Sequence, residues 1–469
     1  MPLSPTTGPY DVSTLTLEIP LSSPRDFHAD SYRSNPSSSH SAPAFRLQTV
    51  LLTLFYPIDG PKTSAGHHGL AKGTLPWLTT PRLKSIEGLL KYAGVSKYFA
   101  LPAILPAYQV LLAKLPFYQN APLAKAESPR KWPTALFSHG LGGTAVTYSS
   151  YLASLASQGV VVAAVEHRDG TCPATSIRTR AEDGKKVHEH SLLYFKDEEV
   201  KTPSAPGGKW DFRQAQLEFR RAELHELLRL VKELNSGQGE ALTAASTRGG
   251  PELANADLSS WQGKLDVDDG LLLLGHSFGG ATVLTDQLST DAIEGPVDGS
   301  GTKIKAKLAI LLDPWLEPLP IALDNTPASN TRTPFLTINS QGFTVWKPHF
   351  DRLKRLIASS TPTSAAKQDA DRPSSTLLTL TGCKHTDFSD FPFLIPRLFA
   401  SSVEPLRCLR IFSELSRRAI DDETIWDGQS VGTVKLSEGE DVNIRWETDS
   451  EAGGSKEMGE PGVLVQHRL

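Results

Sequence analysis

Four consecutive leucines, 271–274, run directly into Gly275-His276-Ser277-Phe278-Gly279-Gly280 and then into Ala281-Thr282-Val283-Leu284. An unbroken apolar run of this kind reads as a strand covered on both faces, which belongs inside a sheet with helices on either side. The serine between glycines reads as a sharp strand–turn–helix elbow. Small neighbours let strand and helix approach closely while the hydroxyl stands exposed at the tip. The same Gly-x-Ser-x-Gly spacing recurs at Gly428-Gln429-Ser430-Val431-Gly432. Glycine and serine are common enough for a chance second match. No strand precedes Ser430, and Val431-Gly432-Thr433-Val434 would start a helix poorly. Context assigns the nucleophile to Ser277.

The rest of the chain supplies the sheet that such an elbow needs. Strand-like runs occur at 14–19, 47–56, 134–138, 160–165, 271–274, 308–312, 335–339 and 377–381, the later ones uniformly apolar. Between them, 212–234 carries Leu217, Leu224, Leu227, Leu228, Val231 and Leu234 at helical spacing, with Asp211 and Gln214 as a capping box. Alternation of strands and helices predicts a mostly parallel central sheet with helices on both faces, the α/β-hydrolase arrangement. Loop-like composition marks 29–44, 196–209, 236–256, 293–302, 359–375 and the chain beyond about Asp427. One catalytic domain over 12–425 and a tail over 426–469 are expected.

A serine hydroxyl is a weak nucleophile at neutral pH and needs a base, with a carboxylate to orient that base. In this fold the chain order is serine, acid, histidine. Of 13 histidines only His349, His385 and His467 follow Ser277. His385 comes just after the strand at 377–381, in the kind of loop where open α/β sheets gather their sites. His349 falls at a helix start and His467 near the end of the chain. Asp313 closes the first strand after the nucleophile, whereas the next strand ends in Asn339-Ser340-Gln341 without a carboxylate. Asp313 and His385 are therefore the expected partners. Donors for the developing oxyanion are expected from the backbone N–H of Phe278 and of Leu141, the latter in Ser138-His139-Gly140-Leu141-Gly142-Gly143.

Other chemistries find little support. The glycines around Leu141 lack G-x-G-x-x-G spacing and a Walker lysine, which argues against nucleotides. Asp266-Val267-Asp268-Asp269-Gly270 departs from a calcium loop in the place of its glycine and in its missing glutamate, and His188-Glu189-His190 lacks zinc-protease spacing. Cys172, Cys383 and Cys408 stand far apart, with no C-x-x-C pair, so neither a disulfide framework nor a metal site is expected. A net charge of −4 is not basic enough to argue for a nucleic-acid partner. The first 20 residues show no secretory leader, and the apolar stretch 98–118 is broken by Pro102, Pro106, Lys114 and Pro116, so it is not a spanning helix. A cytoplasmic location, with membrane association left open, is the expectation.

Several segments together are more specific than the elbow alone. They are Phe137-Ser138-His139-Gly140-Leu141-Gly142, Val162 through Asp169, Gly275 through Thr282, Leu312-Asp313-Pro314-Trp315, Ile338-Asn339-Ser340, and His385-Thr386-Asp387-Phe388-Ser389-Asp390-Phe391. In this order, over about 51–398, the chain resembles the plasma-type and intracellular type II platelet-activating factor acetylhydrolases, calcium-independent α/β-hydrolase lipases. The resemblance implies Ser277, Asp313 and His385 as a triad, with Leu141 and Phe278 at the oxyanion hole and no cofactor. It also implies a glycerophospholipid substrate with an sn-2 acetyl or short oxidised acyl ester. A carboxylesterase acting on a soluble ester, or a non-catalytic hydrolase-like binding protein, are the alternatives. The chain departs from the family in Pro314 after Asp313, where alanine is common, in longer intervals around Asp313, and in its tail. The family also implies two readings of 100–115. Leu101, Ile104, Leu105, Tyr108, Leu111, Leu112 and Leu115 form either a lipid-surface face, joined by Phe391, Phe393, Leu394 and Ile395, or a packed cap.

Overall fold

The computed structural model describes residues 3, 6–33, 42–59, 72–95, 104–125, 130–181, 184, 186–201, 209–290, 303–325, 333–358, 375–425, 431–436, 439–448 and 458–469. Two long strands, β1 (Asp11–Arg33) and β2 (Ala42–Ile58), pair antiparallel and are followed by α1 (Arg82–Tyr92), α2 (Ile104–Leu112) and the short β3 (Tyr118–Gln119). Then come β4 (Trp132–Ser138), α3 (Ser149–Ser157) and β5 (Val161–Glu166). A separate hairpin of β6 (Ala174–Arg180) and β7 (Val187–Leu193), with β8 (Val200–Lys201), leads to α4 (Lys209–Asn235) and α5 (Gly239–Ala245). The elbow joins β9 (Leu265–His276) to α6 (Phe278–Leu288). Beyond it lie β10 (Leu308–Leu312), β11 (Phe335–Ser340), α7 (Gln341–Val345), α8 (Lys347–Ala358) and β12 (Thr376–Leu380). The chain closes with α9 (Phe391–Leu394), α10 (Pro396–Phe399), α11 (Pro405–Ile420), β13 (Val431–Lys435), β14 (Asp441–Trp446) and β15 (Leu464–Gln466).

Among the described residues, thirteen strands form one sheet in the order β13-β14-β15-β12-β11-β10-β9-β4-β5-β2-β1-β3, with β8 on β1. The six from β5 to β12 are mutually parallel, and antiparallel strands flank them on both sides. This is the mostly parallel α/β-hydrolase sheet that the sequence pattern predicts. The uniform apolarity of its central strands has a direct cause. Leu271 and Leu273 enter one core with Leu311 and with side chains of α4, α6 and α8, while Leu272 and Leu274 enter a second core with Ile310 and with side chains of α3 and α11. A strand buried on both faces has no polar side to alternate with.

Three features differ from the sequence reading. Helix α4 begins at Lys209, so Asp211 lies within its first turn, where it complements the helix dipole, and does not serve as the cap. Residues 236–256, read as loop, hold α5 and a 3₁₀ segment at Pro251–Ala256. The segment beyond Asp427, read without elements, adds β13, β14 and β15 to the sheet. Val465 pairs with Thr379 of β12, and the His467 imidazole bonds Thr379 Oγ1 (2.7 Å) and Glu447 (2.8 Å). Residues 34–41, 293–302 and 359–374 lie outside the described residues, as do Leu101 and Ser430. Among the described residues no helix is long and apolar enough to cross a membrane.

Candidate active site

Strand order reverses between β4 and β9. From β4 the chain moves to β5 on one side, and from β9 to β10 on the other. A crevice opens at such a switch point beyond the carboxyl ends of the strands. Two loops meet there, the one after Ser138 and the elbow after His276, with Ser138 paired to Gly275. Ser277 has φ 55° and ψ −117°, a backbone state that costs a non-glycine residue energy. Neighbouring bonds hold it there: its N–H donates to Leu312 O (2.9 Å), and its carbonyl accepts from Ala281 (3.0 Å) and Trp315 (2.9 Å). The glycines around it permit the close crossing. A Cβ on Gly275 would lie 2.4 Å from Gly279 O, and one on Gly279 would lie 1.9 Å from Ser138 O.

Asp313 follows β10 and is fully buried. It accepts the Ser340 N–H (2.6 Å) at Oδ1 and the Ser340 hydroxyl (2.5 Å) at Oδ2, and Oδ2 also takes the Nδ1–H of His385 (3.0 Å). A buried carboxylate with three donors is held in one orientation. The other two late histidines are engaged elsewhere. His349 Nε2 accepts the Leu316 N–H (3.2 Å), and His467 fastens β15.

The ring of His385 is sandwiched. Phe343 of α7 stacks on one side, and the His276 ring stands 4.4 Å away between centroids. Burial, and then the proximity of His385, hold His276 well below the usual imidazole range, so it is neutral. Its Nε2 lies 3.2 Å from the His385 carbonyl, which can only accept. Nε2 must therefore carry the proton, and Nδ1 accepts from the Tyr148 hydroxyl (2.8 Å). Tyr148 Oη in turn accepts the Gly140 N–H (3.1 Å). One directed chain thus links the Gly140 loop, the residue before Ser277, and the backbone of His385.

The loop that carries Leu141 is pinned from below. Gly142 N–H donates to Thr171 O (2.9 Å), and Gly143 N–H to Gly140 O (3.1 Å). The Arg220 guanidinium, fully buried on α4, donates to His139 O (2.7 Å), Asp169 Oδ2 (2.7 Å) and Thr171 Oγ1 (2.6 Å), and lies 4.6 Å from the Phe278 ring centroid. Burial and the Arg220 charge keep His139 well below the usual imidazole range, consistent with a single Nδ1–H donated to Gly140 O (2.8 Å). Among the described residues, no acceptor lies in bonding geometry to the N–H of Leu141 or of Phe278. Two free donors at the switch point are what an oxyanion requires.

Ser277, His385 and Leu141 open into a cleft of about 960 Å³. Its walls are mainly apolar, with Ile86, Leu89, Val110, Leu394, Ile395 and Phe399 among them. Leu394, Ile395 and Phe391 thus line this cleft, while Phe393 packs partly buried against the core. Helix α2 divides: Val110 is buried, whereas Tyr108 and Leu112 are exposed. The side chains of Ile104 and Leu105 lie outside the described residues. Of the motifs weighed against metals, 266–270 lies within β9, where Gly270 N–H bonds Asp266 Oδ1 (3.0 Å), and His188 to His190 sit exposed on β7. All three cysteines are buried free thiols. The roles of Ser340, Phe343, His276 and Tyr148 have no local sequence signature, apart from the strand end at Ser340.

A family profile described as "Platelet-activating factor acetylhydrolase, isoform II" matches residues 39–420. The chain is 29% identical over 322 residues to a Gallus gallus protein named platelet-activating factor acetylhydrolase, covering 68% of this chain and 65% of that one. It is 29% identical over 310 residues to the Canis lupus familiaris protein of the same name, covering 64% and 58%. Both matches span less than two thirds of the relative's own length. A Schizosaccharomyces pombe protein named putative phospholipase A2 is 26% identical over 430 residues, covering 86% of this chain and 88% of that one. The profile takes in the elbow, the strand end at Asp313 and the turn at His385, and on that match the chain belongs to the platelet-activating factor acetylhydrolase isoform II family.

Proposed function

We propose that this protein is a serine ester hydrolase in which Ser277, His385 and Asp313 act as nucleophile, base and orienting acid. The observation that carries this is the 3.0 Å bond from His385 Nδ1 to the buried Asp313, with His385 and a strained Ser277 both lining one apolar cleft. Donation from Nδ1 leaves Nε2 as the ring's basic atom. His385 Nε2 removes the Ser277 proton as Oγ attacks the ester carbonyl, and the oxyanion takes hydrogen bonds from the N–H groups of Leu141 and Phe278. The protonated imidazole then delivers that proton to the leaving alcohol oxygen as the C–O bond breaks. Water repeats the sequence on the acyl-enzyme, releasing the acid and free Ser277.

We further propose that the substrate is a glycerophospholipid carrying an acetyl or short oxidised acyl group at sn-2, as in 1-alkyl-2-acetyl-glycerophosphocholine. The apolar cleft suits a lipid chain, and the names of the relatives point to the same class. Exposed Tyr108, Leu112 and Leu398 near the cleft support peripheral contact with a lipid surface. The proposed proton path uses no calcium, so a calcium chelator should leave turnover unchanged. The test compares 2-acetyl phospholipid with a water-soluble aryl ester, above and below lipid aggregation, alongside fluorophosphonate labelling. One label per chain, lost in Ser277→Ala together with at least about 10⁴-fold of turnover, is expected. Failure to label Ser277 in folded protein would point to a binding protein, and preference for the soluble ester to a general carboxylesterase.

A further inference from the structure

Two cysteines that stand 25 positions apart in the chain, Cys383 and Cys408, meet in space beside the turn that carries His385. Cys383 lies in the loop after β12, and Cys408 lies in the first turn of α11. With Asp387 they offer two sulfurs and a carboxylate oxygen, all within 4.8 Å of one another. The three residues are 2%, 0% and 4% exposed. Asp387 Oδ2 accepts the Lys384 N–H (2.7 Å). The Ser401 and Cys383 side chains lie against the rest of this buried carboxylate, and burial raises its pKa above the ordinary carboxylate range.

We propose that Cys383, Cys408 and Asp387 form a binding site for a thiophilic divalent cation of the zinc type. Tetrahedral coordination with zinc–sulfur bonds near 2.3 Å sets two sulfurs about 3.8 Å apart, within the span of this cluster. Binding forms two metal–thiolate bonds and one metal–carboxylate bond, and the two thiol protons pass to solvent. The cation ties both ends of the Cys383–Asp387 stretch, which contains His385, to α11. This inference does not depend on the reaction assigned to the cleft.

The probe is cadmium, which takes the same ligands and shows an ultraviolet sulfur-to-metal absorption band. Titrated into the reduced full chain, it should give that band with one equivalent bound, and zinc should displace it. Cys408→Ala and Cys408→Val should lose the band while retaining ester turnover, whereas Cys172→Ala should keep it. Asp387→Asn, with both thiols present, should weaken binding by about tenfold or more. Absence of a stoichiometric band, or its survival in Cys408→Ala, would overturn the site. Should both Cys408 variants fail to fold, unchanged affinity in Asp387→Asn would do the same.

Discussion

The ring of Phe343 lies flat on the imidazole of His385, with centroids 4.5 Å apart and planes 5° from parallel. On the opposite side the His276 ring is tilted by 34°. His385 is about one-third exposed at its side chain, so hydrogen bonding to Asp313 alone would leave the ring free to swing about that bond. The two rings restrict it. On the proposed mechanism, Phe343→Leu should lower kcat by about two- to tenfold, the range of an aromatic pair worth 0.5–1.5 kcal/mol, with KM little changed. Phe343→Tyr should restore it. A matching fall for Leu and Tyr would assign the position to packing alone.

Ser340 gives Asp313 two of its three hydrogen bonds, one from the backbone and one from the hydroxyl. Ser340→Ala removes the second and leaves the first. Bonds to a buried carboxylate are worth about 1.5–3 kcal/mol, so kcat should fall by roughly ten- to a hundredfold. Steady-state kinetics on any turned-over ester, with Thr as the rescuing residue, reads this directly. An unchanged kcat would show that the backbone N–H suffices.

The contrast between Asp313 and Ser340 shows where sequence reading reaches. Asp313 ends an apolar strand, and the fold fixes the chain order of its partners, so local pattern and order place it beside His385. Ser340 ends the next strand, but its role is visible only when Leu312 and Ile338 lie side by side in the sheet. Phe343, Tyr148 and His276 act through space in the same way, as do Cys383 and Cys408. Buried Arg220 and Glu223 were hidden for a different reason. Leucine spacing predicts the helix, while its charged residues turn inward to bond the loops at the switch point. In β14 the signal is present, since buried Val442 and Ile444 alternate with exposed Asp441 and Asn443. A short alternation after a loop-rich stretch carries little weight until β15 supplies its partner.

Tyr148 stands in the middle of the chain that runs from Gly140 N–H to His276. Tyr148→Phe keeps the ring, which packs 4.9 Å from Phe137, and removes the hydroxyl. Gly140 N–H and His276 Nδ1 would both lose their partner inside the protein. The expected cost is about 1–3 kcal/mol of stability, read from denaturant midpoints, together with slower turnover as the Leu141 loop loosens. Full activity with lowered stability would separate the loop's position from the bond.

Acid should weaken this fold through buried neutral histidines, and His349 allows the sign to be worked out. Its ring stacks on Trp346 at 4.7 Å and meets Phe343 at 5.2 Å. Burial is the main cause that lowers its pKa to about 4 from an ordinary 6.5. A histidine depressed in the folded state binds its proton more readily when unfolded. Its contribution is therefore complete above about pH 6.5 and is lost as pH falls from there towards 4. The loss amounts to about 2 kcal/mol at pH 5 and approaches about 3 kcal/mol below pH 4. His349→Phe forfeits the bond from Leu316 N–H and should be less stable at pH 7. Its stability should nevertheless fall less than the wild type's between pH 7 and pH 5, by about that 2 kcal/mol. Denaturant melts of both proteins at the two pH values give the difference. Parallel losses would mean that His349 does not titrate in this window, and the acid sensitivity would then pass to His139, His167 and His276, which burial also holds neutral.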